Sequence, residues 1–194
     1  MLVKKVRNLF KFMTKKITIL ISACLLGEPV RYNGTDLSLK DHPLIKKWDD
    51  SKQLIPLCPE VAGGMSVPRA PAEISLGNGY SVLSLKSKVI NKDQCDVSKY
   101  FISGAQKALA LAKKNNCVAA ILTERSPSCG SQQIYDGSFS NTRKAGMGVT
   151  SALLEKNGIL VFNQYQLEDL ERYCNDSITF SPISHHTLPS KEGQ

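Results

Sequence analysis

The sequence predicts an α/β protein: a single compact domain on a mainly parallel sheet with helices on both faces, a Rossmann-like three-layer sandwich. Three observations lead there. Short apolar runs, rich in β-branched residues, recur at 17–23, 54–57, 117–122 and 159–162. Between them, 97–114 and 149–156 carry the spacing of amphipathic helices. Strands that alternate with helices are joined by crossovers, which place them parallel beneath two helical layers. At 194 residues, with 42% apolar and 22% charged side chains, the chain has the length and balance for one buried core.

Each element has a local reason. The first strand, 17–23, ends in a loop holding Gly27, Pro29, Asn33 and Gly34. A short helix is expected within 38–50, around Leu44, Ile45 and Trp48. The second strand, 54–57, runs into a glycine- and proline-rich stretch from Cys58 to Glu73, and 80–90 reads as a hairpin or edge strand. The helix at 97–114 has Asp96 as its expected N-cap and a stripe of Phe101, Ala105, Ala108, Leu109 and Ala112. The third strand, 117–122, opens into a loop at 123–133. Asn157 and Gly158 stop the helix at 149–156 before the fourth strand, and 167–173 reads as a closing helix. The domain is therefore placed at 17–175. Residues 1–16 read as a basic extension able to form an amphipathic helix, and 176–194 as a disordered polar tail whose His185 and His186 are solvated.

The charge is uneven. The net charge is +8, but Lys4, Lys5, Arg7, Lys11, Lys15 and Lys16 precede residue 17 with no acid among them. The rest of the chain is close to balanced, unlike a protein that binds a nucleic-acid polymer through a basic folded face. No apolar run reaches the ~18 residues of a membrane span. The segment KKITILISAC (15–24) imitates a lipoprotein signal, but its apolar core is short and Leu25-Leu26-Gly27 follows the cysteine where a polar tether is expected. A cytoplasmic protein without stable membrane association is the expected reading.

Six cysteines stand at 24, 58, 95, 117, 129 and 174, with no C-x-x-C pair among them. A domain of this size has little need of disulfides. Cys24, Cys58 and Cys129 follow three predicted strands, and in a parallel sheet such loops meet at one edge, where ligands bind. Cys95, Cys117 and Cys174 read as small buried hydrophobes. Glu60 lies two residues beyond Cys58, and Ser126 and Ser128 precede Cys129. Three converging thiolates fit an iron–sulfur cluster, a catalytic zinc with an open position, or a nucleophilic cysteine.

The motifs SACLLG (22–27), RYNG (31–34), LCPEVAGGM (57–65), PRAPAEI (68–74), ERSPSCGS (124–131), DGSF (136–139) and GMGV (146–149) occur in unbroken order. This set resembles a bacterial family first catalogued as a domain of unknown function, which includes the iron–sulfur-dependent thiouracil desulfidases. The resemblance covers about residues 17–163 and leaves out the leader and tail. It implies a 4Fe–4S cluster held by Cys24, Cys58 and Cys129, with one iron not ligated by protein. It also implies non-redox replacement of C=S by C=O in a thiolated pyrimidine base, nucleoside or nucleotide, with release of sulfide. Glu60 and Ser126 correspond to catalytic positions of the family. Arg31, Arg69, Glu73 and Ser128 are the remaining candidates for a substrate pocket. Gly146 and Gly148 read as turn chemistry ahead of a helix.

Overall fold

A computed structural model describes residues 17–179. The leader and the tail histidines lie outside these residues. In chain order the first elements are β1 (Thr18–Ser22), α1 (Pro43–Asp50), β2 (Leu54–Leu57), α2 (Pro59–Ala62), β3 (Ala72–Ser75), α3 (Gly79–Leu83) and β4 (Lys88–Asn91). They are followed by α4 (Ser98–Lys114), β5 (Cys117–Leu122), β6 (Gln133–Tyr135), β7 (Arg143–Ala145), α5 (Val149–Lys156), β8 (Leu160–Asn163) and α6 (Leu167–Thr179). A 3-10 turn, Ala23–Leu26, continues directly from β1.

The central sheet has the order β2-β1-β5-β8, and every pairing in it is parallel. Alternation along the strands divides the core. Ile19, Ile21, Ala119 and Ile121 face Ile45 and Trp48 of α1 and Leu167 and Leu170 of α6. Leu20, Ala120 and Leu122 face Ala108 and Ala112 of α4 and Leu154 of α5. Both strand faces are buried, so slipping β1 by one residue would exchange its two sets of side chains. The predicted three-layer α/β class is therefore what the chain adopts. A third apolar cluster of Ile74, Val82, Val89, Phe101, Ala105, Ile134 and Val149 seats the antiparallel β3–β4 hairpin outside α4 and α5.

Three local expectations change. Residues 79–83 form α3 rather than strand, because Asn78 caps it: its side chain accepts from the Tyr80 and Ser81 amides at 3.0 and 3.4 Å. The expected strand survives only as β4. Asp96 caps from one residue further out than predicted, since Val97 occupies the N-cap while the Asp96 carboxylate accepts from the Ser98 amide at 3.0 Å. α6 runs to Thr179, past the expected boundary at 175. Among the described residues, no helix is long and apolar enough to cross a membrane.

Close backbone approach fixes the loops that matter. A Cβ on Gly104 of α4 would lie 2.0 Å from the Pro59 carbonyl oxygen, so α2 rests directly on the α4 backbone. A Cβ on Gly148 would lie 2.5 Å from the Ser128 oxygen, which brings the start of α5 against the loop after β5. Neither contact tolerates a side chain.

Candidate active site

In the order β2-β1-β5-β8, connections leave β1 toward opposite edges, so the switch point lies between β1 and β5. Beyond the carboxyl ends of these strands lies a cavity of about 500 Å³. Cys24 reaches it from the 3-10 turn after β1, Cys58 from the junction of β2 and α2, and Cys129 from the loop after β5. The three thiols, separated by up to 105 positions in the chain, line one space. Among the described residues, no group of three or more His, Cys, Asp or Glu converges closely enough to hold a single metal ion.

Loop cysteines are expected to be exposed, but these are not: Cys24 is 7% and Cys129 5% accessible, and Cys58 is half-buried. Burial pushes all three thiols up from their ordinary pKa. At Cys24 the hydrogen bond with Thr123 opposes this and the charge of Cys58 adds to it. At Cys58 the Val61 amide opposes burial, while Glu60 reinforces it. At Cys129 the charges of Glu60 and Cys58 add to burial. Three thiolates here would repel one another, a cost that a cation among them would offset. Of the other cysteines, Cys117 and Cys174 are buried as expected. Cys95 corrects that reading: it is exposed, because it falls on the turn between β4 and α4, where its Sγ donates to the Asp93 carbonyl at 3.7 Å.

The carboxylate of Glu60 is held from two sides. Arg69 Nε donates to its Oε2 at 2.8 Å, and a terminal nitrogen forms an ion pair with the same oxygen at 2.8 Å. Ser126 Oγ donates to its Oε1 at 3.2 Å. The same Ser126 oxygen accepts from the amides of Ser128 at 3.0 Å and Cys129 at 3.2 Å. Arg69 also donates to the carbonyls of Val30 and Ser66, which leaves its side chain 6% accessible. Glu60, Arg69 and Ser126 all line the cavity.

The loop carrying Cys129 is built on a second, buried carboxylate. Glu124 accepts from the amides of Ser131, Gln132 and Gln133, from Ser131 Oγ, and from Asn163 Nδ2. These bonds hold its carboxyl below its ordinary pKa against the opposing effect of burial. The start of α5 closes the loop. The amides of Gly148, Val149 and Thr150 donate to the carbonyls of Gly130, Pro127 and Ser128 at 2.8–2.9 Å. Gly146 and Gly148 thus serve backbone packing, as the turn reading predicts.

The remaining candidates divide. Arg31 lines the cavity and donates to Thr35 Oγ1 at 3.1 Å. Glu73 lines it as well, but its Oε2 accepts from the amides of Gly137 and Phe139 at 2.9 and 3.1 Å, so its carboxylate anchors a turn. Ser128 is a correction. It is fully buried and bonded to Thr150 Oγ1 at 2.9 Å, because its place behind Cys129 faces α5 instead of the cavity. Several lining residues were missed: Ser22, Thr123, Arg125, Phe139 and Gln164. Ser22 and Thr123 had a signal, since each is the polar residue that ends an apolar strand, ILIS (19–22) and AAILT (119–123).

Comparison with known proteins agrees with this geometry. Residues 19–166 match the family model described as 2-thiouracil desulfurase. The chain belongs to the 2-thiouracil desulfurase family. The matched span contains the three cavity cysteines together with Glu60, Arg69 and Ser126. The uncharacterized protein YbbK of Bacillus subtilis (strain 168) is 44% identical over 152 residues, covering 78% of this chain and 99% of that protein. A solved structure, the 4Fe–4S-dependent thiouracil desulfidase TudS, is 38% identical with a TM-score of 0.75, covering 82% of this chain and 99% of TudS. Membership makes this chain a desulfidase-family enzyme with the TudS fold.

Proposed function

We propose that this protein removes sulfur from a thiolated pyrimidine, of the 2-thiouracil or thiouridine type, by hydrolytic replacement of C=S with C=O. Water supplies the oxygen and two protons, sulfide leaves as hydrogen sulfide, and no electrons are transferred overall. The observation that carries the reading is the meeting of Cys24, Cys58 and Cys129 with the Glu60–Ser126 pair on one cavity.

The donor set fits a 4Fe–4S cluster. Three soft ligands, two buried and one half-buried, line one cavity, and the mutual repulsion of their thiolates would be relieved by a cationic core. Cys24, Cys58 and Cys129 would hold it, leaving one iron without a protein ligand. When bound, the cluster supplies an electrophile for the substrate sulfur.

The chain's own groups do the proton work. Glu60 is the general base that takes a proton from the attacking water, an effect worth about 10²–10⁴-fold. Its Oε1 faces Ser126, whose hydroxyl carries a proton between the carboxylate and the substrate ring or holds the ring in register. Arg69 fixes the other carboxylate oxygen and excludes water from that side. A domain at 17–175, a cytoplasmic setting and a small-molecule partner complete the reading.

Anaerobic purification tests it. The expected protein is brown and carries about four irons per chain, and it releases sulfide from 2-thiouracil or 4-thiouridine. A loaded protein that releases no sulfide from thiolated bases, nucleosides or nucleotides would point to a sulfur-handling module instead. A colourless protein with one tightly held zinc would overturn the cluster.

A further inference from the structure

Two hydroxyls at the switch point touch ligand sulfurs in a way the proposed reaction does not use. Ser22 ends β1 and Thr123 follows β5; they are 2% and 8% accessible. The Thr123 amide donates to Ser22 Oγ at 3.1 Å. That bond occupies a lone pair of Ser22 and turns its O–H outward, toward Cys129 Sγ at 3.7 Å. Thr123 Oγ1 in turn lies 3.0 Å from Cys24 Sγ. In the free thiol either atom can donate, but a thiolate ligand only accepts, so the bond then runs from Thr123 to Cys24. One cross-strand unit thus offers an O–H to two of the three cavity sulfurs, whereas Cys58 meets backbone groups, its Sγ donating to the Val30 carbonyl at 3.8 Å and receiving the Val61 amide.

From this geometry we infer that Ser22 and Thr123 form a hydroxyl clamp, a pair of positioning residues whose O–H···S bonds orient Cys129 and Cys24 and set the electron density on their sulfurs. The inference rests on the reading that these cysteines ligate the cluster. Hydrogen bonds to ligand sulfur stabilise the more negative, reduced cluster and raise its potential. They also weaken thiolate donation to iron, which makes the iron more electrophilic. A clamp shared by adjacent strands ties both effects to the β1–β5 register, in which Ile21 pairs with Ile121. Removing either hydroxyl therefore alters the cluster without altering its ligand set.

The test uses anaerobically reconstituted full-length protein and four single variants, Ser22→Ala, Ser22→Thr, Thr123→Val and Thr123→Ser, with the double variant Ser22→Ala/Thr123→Val. Iron content and midpoint potential, read by EPR-monitored titration, are the measurements. Ser22→Ala and Thr123→Val should each shift the potential to more negative values, the double variant should shift it further, and Thr123→Ser should restore it. Unshifted potentials in all variants at wild-type iron content would overturn the clamp while leaving the cluster standing. If Thr123→Val loses iron, retention by Thr123→Ser supports the hydroxyl, and loss by both assigns the effect to packing and overturns the proposal. A wild-type chain that binds no cluster fails at the earlier step and takes the clamp with it.

Discussion

Arg69 holds a single oxygen of Glu60 through a hydrogen bond from Nε and an ion pair from a terminal nitrogen, each at 2.8 Å, and so leaves the other oxygen to Ser126. This asymmetry separates anchoring from chemistry within one carboxylate. Replacing Glu60 with Gln keeps the shape but loses the base. Glu60→Gln should retain wild-type iron while sulfide release falls by about 10²–10⁴-fold. Normal turnover in that variant would remove Glu60 from the mechanism.

Arg69→Lys keeps the charge but loses the fork, because an ammonium cannot bond Glu60, Val30 and Ser66 in the same planar geometry. The expected result is a fall in kcat of up to about 10²-fold, the scale set by a misplaced catalytic group. KM should change little. A rise in KM at unchanged kcat would instead make Arg69 a substrate-binding residue.

Alanine at Cys24, Cys58 or Cys129 should abolish stable cluster binding, since each removes one of the three proposed ligands. Cys117→Ala and Cys174→Ala should leave iron near wild type at some cost in stability, because both side chains are buried. Cys95→Ala should change neither property, as that side chain is exposed. Iron analysis across the six variants sorts the two groups. Loss of iron in the Cys95, Cys117 or Cys174 variants would contradict the assignment.

The sheet was legible because its signal is local. Each central strand is an apolar run bounded by turn residues, and Phe101, Ala105, Ala108 and Ala112 repeat at helical spacing. Convergence of the three cysteines followed from the topology alone. What escaped has a non-local cause. α3 is seated by its first residue on the segment before α5, the Gly79 amide donating to the Met147 carbonyl at 2.7 Å, and β6 and β7 are three residues each, stabilised by pairing and by contact with neighbours. Ser128 and Cys129 are adjacent in sequence, yet only Cys129 lines the cavity, a choice made by α5 packing behind the loop. The partnership of Arg69 with Glu60 requires the intervening loop to fold back, which no spacing rule encodes.

Glu124 gives the Cys129 loop a pH dependence. Its native carboxyl lies below its ordinary value, so its contribution is complete above the unfolded range near about 4.3. That contribution is lost as pH falls through the lower native pKa. Glu124→Gln should therefore lower stability at neutral pH and flatten the acid limb of the stability–pH curve. Glu124→Ala leaves internal amides unpaired, at about 1–3 kcal/mol for each one that water cannot reach. Denaturant titrations at neutral and acid pH measure both. An acid limb in Glu124→Gln as steep as that of wild type would assign the dependence to another group.

Glu73 is predicted to act on binding more than on chemistry. Its carboxylate receives the Gly137 and Phe139 amides, and Phe139 holds a left-handed φ of 58°, unfavourable for a bulky residue. Losing this anchor releases the turn that carries Phe139 and Asn141 to the cavity wall. Glu73→Ala should raise KM for a thiolated base about tenfold, the effect of roughly 1.4 kcal/mol in binding, while kcat falls less. Phe139→Ala should reproduce the KM effect without destabilising the fold to the same degree, because its half-buried ring packs at the cavity rim and not within the sheet. Equal KM values in both variants and wild type would show that the turn plays no part in holding the base.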